Sequence, residues 1–230
     1  RFVGLAQRVE ELRHVLDALH VGQADLVGHG DAAMVLFEFA LRYPQRCRSL
    51  IIIAQAADYR IAPHPFIWLL HEAFLRLPVE HVLPAWFLRR IVVNYIVSSR
   101  PACGDHRLSS FESDHAQGET YLPRHLIDEQ FKKIAAWPSV YKFSVLPIIH
   151  NFDIRSRLNE LTMPILLVNR TDDALSPESK TRWLAQHLPN CAGCHLVKGR
   201  ERFFMYAQAN EVNRLMQAFL SRLPRALPTS

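Results

Sequence analysis

The sequence predicts an α/β fold built on a parallel sheet, and three observations carry that prediction. First, apolar Leu26 and Val27 lead through a turn of small residues into segment 32–42, whose apolar residues recur at helical spacing. Second, the uninterrupted apolar run 50–53 suits a strand that is buried on both faces. Third, the apolar run 164–169 is followed by a polar loop and another helical pattern.

The other segments fit the same plan. Residues 8–19 form an amphipathic helical pattern that ends at Gly22, before the first strand. A short strand ending near Val197 and a helix over 211–223 close the chain. Between the second and third strands lies a long segment with four helical patterns interrupted by prolines: 66–77, 84–96, 126–136 and 140–152. We therefore expect a core of residues 1–56 and 162–230, with residues 57–161 inserted as a helical subdomain.

The composition and charge of the chain exclude some classes of function. The chain has 230 residues, 49% of them hydrophobic, and a formal net charge of +5, which invites a nucleic-acid hypothesis. The arginines are scattered rather than clustered in one basic patch, which favours a solvated surface, so we expect no nucleic-acid partner. No apolar run suits a transmembrane helix, and no leader pattern opens the sequence. We expect a cytoplasmic location.

The segment 25–34 contains the most informative turn in the sequence. Gly28-His29-Gly30-Asp31-Ala32 joins an apolar strand to a helix, and the pattern resembles the G-x-S-x-G nucleophile elbow of the α/β-hydrolase superfamily. That resemblance implies a parallel sheet flanked by helices, with the inserted segment as a cap over the active site. Gly30 stands where the superfamily places its serine, and Ala32 stands where it places its last glycine. Gly30 therefore offers no nucleophilic side chain.

The resemblance also locates the other two positions of a catalytic triad. Asp173, with Pro177 four residues later, fits the acid motif D-x-x-x-P. Counting back from 211–213, the base position falls on Arg202, and arginine stays protonated in proteins. Two of three catalytic groups are therefore absent, which predicts a pseudoenzyme. We expect Asp173 and Arg202 to form an ion pair, with Asp172 as the alternative partner of Arg202.

Several residues near the elbow are compatible with functions other than that of a pseudoenzyme. Asp31 is one residue beyond the position at which some hydrolases carry an aspartate nucleophile, and His29 precedes it as in common Gly-His-Ser elbows. An active esterase, lipase-like hydrolase or lyase with non-standard catalytic residues is the alternative to a pseudoenzyme. Because hydrolase caps line pockets with aromatic residues, we include Trp86 and Phe87 with His29 and Asp31 as candidate ligand-binding residues.

Two further patterns suggest metals or cofactors. Residues 191–195 read C-x-x-C-H, which matches haem attachment, a redox pair or a metal pair. The segment coincides with the turn into the last strand, and we expect its cysteines to act as small apolar residues. The polar loop 98–121 contains His106 and His115, whose spacing fits no standard metal site. We therefore expect no metal and no cofactor.

A narrower resemblance points to the maspardin family, which consists of hydrolase-fold proteins regarded as non-catalytic that bind partner proteins. It is carried by segments 83–92, 172–180 and 211–213, together with Phe203 and Phe204. The resemblance implies a module that binds a protein or a small apolar ligand. Nothing in this sequence corresponds to the strands that the superfamily places before the elbow. The first strand would then be an exposed edge, which predicts self-association or a partner protein.

Overall fold

The central sheet has four parallel strands in the order β1-β2-β3-β4. A computed structural model describes residues 4–59, 84, 86–87, 129, 132, 152–171, 173, 176–198 and 203–224. The strands are β1 (Ala24–His29), β2 (Cys47–Ile53), β3 (Ile165–Arg170) and β4 (Cys191–Val197). Because all four strands run the same way, their carboxyl ends meet at one edge, where the candidate site lies.

Five described α-helices flank the sheet: α1 (Leu5–Ala18), α2 (Asp31–Arg42), α3 (Glu178–His187), α4 (Phe204–Ala207) and α5 (Ala209–Leu220). Helices α1, α2 and α3 contribute to the core on one face of the sheet. Helices α4 and α5 contribute to the core on the other face. The predicted parallel sheet flanked by helices is confirmed. Among the described residues, none of the helices is long and apolar enough to cross a membrane.

Strand β2 shows why this sheet is stable. Leu50 and Ile52 face the core formed with α1, α2 and α3, whereas Ile51 and Ile53 face the core formed with α5. All four side chains are almost completely buried, so an uninterrupted apolar run is what a strand covered on both faces requires. Each such side chain contributes roughly 1.5–3 kcal/mol through removal from water.

An ion pair joins the amino-terminal ends of the first two strands. The Arg48 guanidinium contacts both carboxylate oxygens of Asp25, and its Nε lies 2.8 Å from Oδ1. The Ser49 hydroxyl also donates a hydrogen bond to Oδ1, at 2.6 Å. The hydrogen bond from Arg48, followed by that from Ser49, lowers the pKa of the Asp25 carboxyl, although its partial burial opposes the shift. The carboxylate form of Asp25 is therefore favoured in the folded protein.

The two ends of the inserted segment meet beside the sheet. Tyr59 N donates to Phe152 O at 3.1 Å, and Ile154 N donates to Ala57 O at 2.9 Å, forming an antiparallel bridge. Phe152 and Ile154 are buried in the same core as α2, as are Leu158 and Leu161 farther along the chain. The four predicted cap helices lie almost entirely outside the described residues, so the division into core and cap stays a prediction.

Candidate functional site

The elbow keeps a sharp backbone turn between β1 and α2. Gly30 has φ 55° and ψ −123°, a conformation that L side chains rarely adopt and that glycine adopts without steric conflict. Its N–H donates to Ile53 O at 3.0 Å, and its carbonyl accepts from Ala33 N at 2.9 Å. These bonds tie the turn to the end of β2 and to the first turn of α2. The residue at position 30 therefore sits at the carboxyl edge of the sheet.

Gly28 allows α2 to approach the strand before the turn. A Cβ at position 28 would lie 2.8 Å from Cδ1 of Leu36 and 2.9 Å from both the backbone nitrogen and Cα of Ala33. These distances are too short for a real Cβ, and two of the three neighbouring atoms are backbone atoms that cannot move aside. A residue without a side chain is thus required at position 28. The elbow is shaped by close contact between strand and helix.

The acid loop follows the carboxyl end of β3 and contains Asp173. Asp173 is only 3% exposed. Its Oδ1 accepts a hydrogen bond from Ser176 N at 2.9 Å, and its Oδ2 accepts one from Nε of Arg170 at 3.1 Å. The Arg170 side chain is itself almost fully buried. The carboxylate at the predicted acid position is therefore held by the guanidinium of Arg170, the last residue of the strand that leads into the loop.

A buried amide links this loop to the start of α3. Nδ2 of Asn169 donates to Ser176 O at 2.7 Å and lies 2.7 Å from the Thr181 hydroxyl oxygen. Its Oδ1 accepts a hydrogen bond from Arg170 N at 2.8 Å. The sequence predicts a strand that ends at Asn169, with Arg170 in the loop, and so does not indicate a role for either residue in the site. The signal was present, since two polar residues end an otherwise apolar run.

Aromatic rings connect the elbow to the segment that follows β4. The His29 ring centroid lies 5.4 Å from that of Phe203, and Phe203 lies 6.3 Å from Tyr206. Phe203 directly follows the predicted base position, and its ring lies close to the elbow. Arg202 and Asp172 are outside the described residues. The Asp173–Arg202 ion pair therefore stays a prediction, and Arg170 is a guanidinium partner that it did not anticipate.

The remaining candidate ligand-binding residues differ in position. Asp31 begins α2 and is partly exposed, next to Gly30. Trp86 and Phe87 are exposed, and no contact between them and the elbow is found among the described residues. The ligand-binding assignments therefore stay predictions.

The C-x-x-C-H motif lies within β4, not in the turn before it. The register shifts between Ile165 and Leu166, and both Cys191 and Cys194 pack against the core on the α3 side. His195 instead lies beside Gly193, where its Nε2 would be 3.1 Å from an added Cβ. Burial raises the pKa of both thiols, which disfavours the reactive thiolate. In the described part of the chain, no group of three or more His, Cys, Asp or Glu residues could hold a metal ion.

Comparison with known proteins identifies the family. Residues 2–208 match the family model described as alpha/beta hydrolase fold. The chain is 22% identical over 184 residues to pimeloyl-[acyl-carrier protein] methyl ester esterase of Nitrosomonas europaea, covering 79% of this chain and 65% of that protein. It is 24% identical over 226 residues to poly(3-hydroxyalkanoate) depolymerase of Ectopseudomonas oleovorans, and the match covers 96% of this chain and 68% of that protein. This chain thus spans about two thirds of the length of these relatives.

A solved structure agrees with the fold. An alpha/beta hydrolase enzyme from a Medee basin deep-sea metagenome library superposes with a TM-score of 0.73 at 16% identity, covering 100% of this chain and 76% of that one. Neither curated relative named above is a maspardin, so the narrower resemblance stays a prediction. The parallel sheet flanked by helices agrees with the family match over residues 2–208. This chain therefore belongs to the alpha/beta hydrolase fold family.

Proposed function

We propose that this chain binds a small apolar ligand or a partner protein at the elbow without hydrolysing it. The observation that carries the proposal is the conformation of Gly30, whose φ of 55° retains the turn of a nucleophile elbow while the residue itself supplies no side chain. Covalent acyl transfer needs a nucleophile and a base that accepts its proton. The backbone turn alone provides neither group.

The acid loop supports the same proposal. In a catalytic triad the carboxylate orients the imidazole base. Here Oδ2 of Asp173 accepts a hydrogen bond from the buried Arg170, which occupies part of the carboxylate's capacity to bind a base. The ring of Phe203 lies against His29 at the elbow and offers an apolar wall to a ligand. A binding function uses these features without requiring a proton transfer.

Hydrolysis is the second candidate, and the names of the relatives favour it. The two curated relatives named above are an esterase and a depolymerase, and the superposed structure is called an alpha/beta hydrolase enzyme. These names fit an active hydrolase better than a binding module. We rank binding first because the names belong to proteins no more than 24% identical to this chain, whereas Gly30 is a residue of the chain itself.

Turnover of short-chain p-nitrophenyl esters separates the two candidates. We expect the unmodified chain to release p-nitrophenol at the rate of buffer alone, and the double variant Gly30→Ser with Arg202→His to show weak activity. Gly30→Ser alone is the matched control, because it restores the hydroxyl without the base. Turnover by the unmodified chain above the buffer rate would reject the binding proposal and establish hydrolysis.

A titration tests binding directly. We expect the unmodified chain to bind an alkyl p-nitrophenyl ether, which resembles the ester and cannot be hydrolysed. Phe203→Ala should weaken that binding because it removes the ring beside His29. Trp183→Ala is the control, since Trp183 is an exposed ring on α3 that stacks on His187. Equal binding by Phe203→Ala and the unmodified chain would place the ligand elsewhere.

A further inference from the structure

Strand β4 carries two cysteines, and the register of the sheet places both on the same face. Cys191 is aligned with Ile165 of β3 and Cys194 with Leu167, so β4 contains one extra residue, Ala192, between these pairs. Ile165 and Leu167 belong to the core on the α3 side, and both cysteines pack against that core. In a regular strand, residues three apart point to opposite faces. The extra residue therefore makes neighbours of two thiols that the sequence spacing would separate.

The separation of the pair suits a disulfide that forms and breaks readily. Ile165 and Leu167 are two positions apart on β3, which corresponds to about 6.6 Å and sets the separation of the two aligned cysteine Cα atoms. Disulfides usually join Cα atoms about 4.4–6.8 Å apart, so this pair lies at the upper end of the range. A disulfide at that limit is strained, and strained disulfides are the easily reduced ones.

The histidine of the C-x-x-C-H motif lies on the other face of β4. His195 is aligned with Val168, which belongs to the core formed with α5. A metal bound between the two thiols would therefore lack this imidazole as a ligand, and two thiolates are fewer ligands than a structural zinc site uses. The geometry favours a bond between the two sulfur atoms over a metal ion between them.

The two thiols of β4 are more accessible than the third thiol that the structure describes. Cys191 and Cys194 are partly exposed, whereas Cys47 is only 2% exposed. Strand β4 is also at the edge of the sheet, and among the described strands only β3 pairs with it. Burial raises the pKa of both β4 thiols, so we expect thiol–disulfide exchange to take minutes to hours.

We propose that Cys191 and Cys194 are a redox-active pair, which a low-molecular-weight disulfide such as oxidised glutathione converts reversibly to an intramolecular disulfide. One cysteine thiolate attacks a glutathione sulfur, forms a mixed disulfide and releases one reduced glutathione. The other thiolate then attacks the cysteine sulfur of that mixed disulfide and releases the second. Each cysteine loses its thiol proton, and two electrons pass from the protein to glutathione. The proposal does not depend on whether the elbow binds or hydrolyses its ligand.

Mass spectrometry of the folded chain after incubation with oxidised glutathione tests the proposal. The background variant Cys103→Ser removes the fourth cysteine of the chain, which lies outside the described residues. Trypsin cleaves after Arg182 and Lys198 and releases Cys191 and Cys194 in one peptide. We expect that peptide to be lighter by two hydrogen atoms and to carry no glutathione. Excess reduced glutathione should then restore both thiols, which a structural disulfide would resist.

Serine variants separate a bonded pair from two independent thiols. In the same background, Cys191→Ser and Cys194→Ser should not form the lighter peptide, and any glutathione that they acquire should stay bound. The double variant should keep its mass, because Cys47 is buried. Circular dichroism checks that each variant is folded. Two unreacted thiols in the background variant, a mixed disulfide that persists there, a bond between two chains, or resistance to reduced glutathione would each overturn the proposal.

Discussion

The elbow and the acid loop are both strand–turn–helix units at the same edge of the sheet, yet they are held in different ways. The elbow, residues 24–42, depends on small residues, because Gly28 lets α2 approach β1 and Gly30 adopts a positive φ. The acid loop unit, residues 165–187, depends on buried polar groups, namely the pair of Arg170 with Asp173 and the amide of Asn169.

This difference predicts which kind of substitution each unit tolerates. The stability of a turn formed by close contact between backbones depends on the volume of its side chains and not on their charge. A loop held by a buried ion pair is sensitive to loss of charge on one side, because the remaining charge stays away from water without its partner. The two halves of the candidate site should therefore respond to opposite kinds of mutation.

Arg170→Met should destabilise the protein most. The variant leaves the Asp173 carboxylate buried without a guanidinium that contacts it at 3.1 Å, and breaking a buried pair in this way costs about 3–5 kcal/mol. Urea denaturation followed by circular dichroism measures the loss. The double variant Arg170→Met with Asp173→Leu should recover part of the stability, because it removes both charges. Additive losses in the double variant would show that the two charges do not stabilise the loop as a pair.

Gly28→Ala should have the next largest effect. The added methyl group would meet the Ala33 backbone at 2.9 Å, and overpacking of this kind costs about 1–3 kcal/mol. Gly22→Ala is the matched control, because no heavy atom lies within 4 Å of a Cβ built there. The same denaturation experiment compares the two variants. If Gly28→Ala were as stable as Gly22→Ala, close contact would not be what shapes the elbow.

The ion pair at the start of the elbow unit should give a smaller, pH-dependent effect. The hydrogen bond from Arg48 lowers the pKa of Asp25 in the folded protein. The resulting stabilisation is present above the usual pKa of an aspartate and is lost as the pH falls through the lowered pKa. For a partly exposed pair we expect about 0.2–1 kcal/mol. Denaturation at neutral and acidic pH should show a smaller acid-dependent loss in Arg48→Met than in the unmodified chain, and identical losses would contradict this assignment.

The sequence predicted every described strand and the longer described helices, with ends displaced by a few residues. The expected helix 211–223 is α5, Ala209–Leu220, and the expected helix 8–19 is α1, Leu5–Ala18. These elements were predictable because each carries its own apolar period. The position of the C-x-x-C-H motif was predicted less well, since short polar and apolar residues such as Ala192 and Gly193 are compatible with either a turn or a strand.

The sequence was sufficient to predict the turn at Gly30 and the polar loop that contains Asp173, because each directly follows an apolar run that predicts a strand. Only the tertiary structure shows that the Arg170 side chain contacts Asp173 and that the Phe203 ring lies against His29. Arginine is usually found at the surface, so the polar end of the apolar run marks Asn169 and Arg170 as unusual but does not indicate that the Arg170 side chain will be buried. Its burial depends on a carboxylate held in reach by the fold, and only the assembled sheet brings the two together.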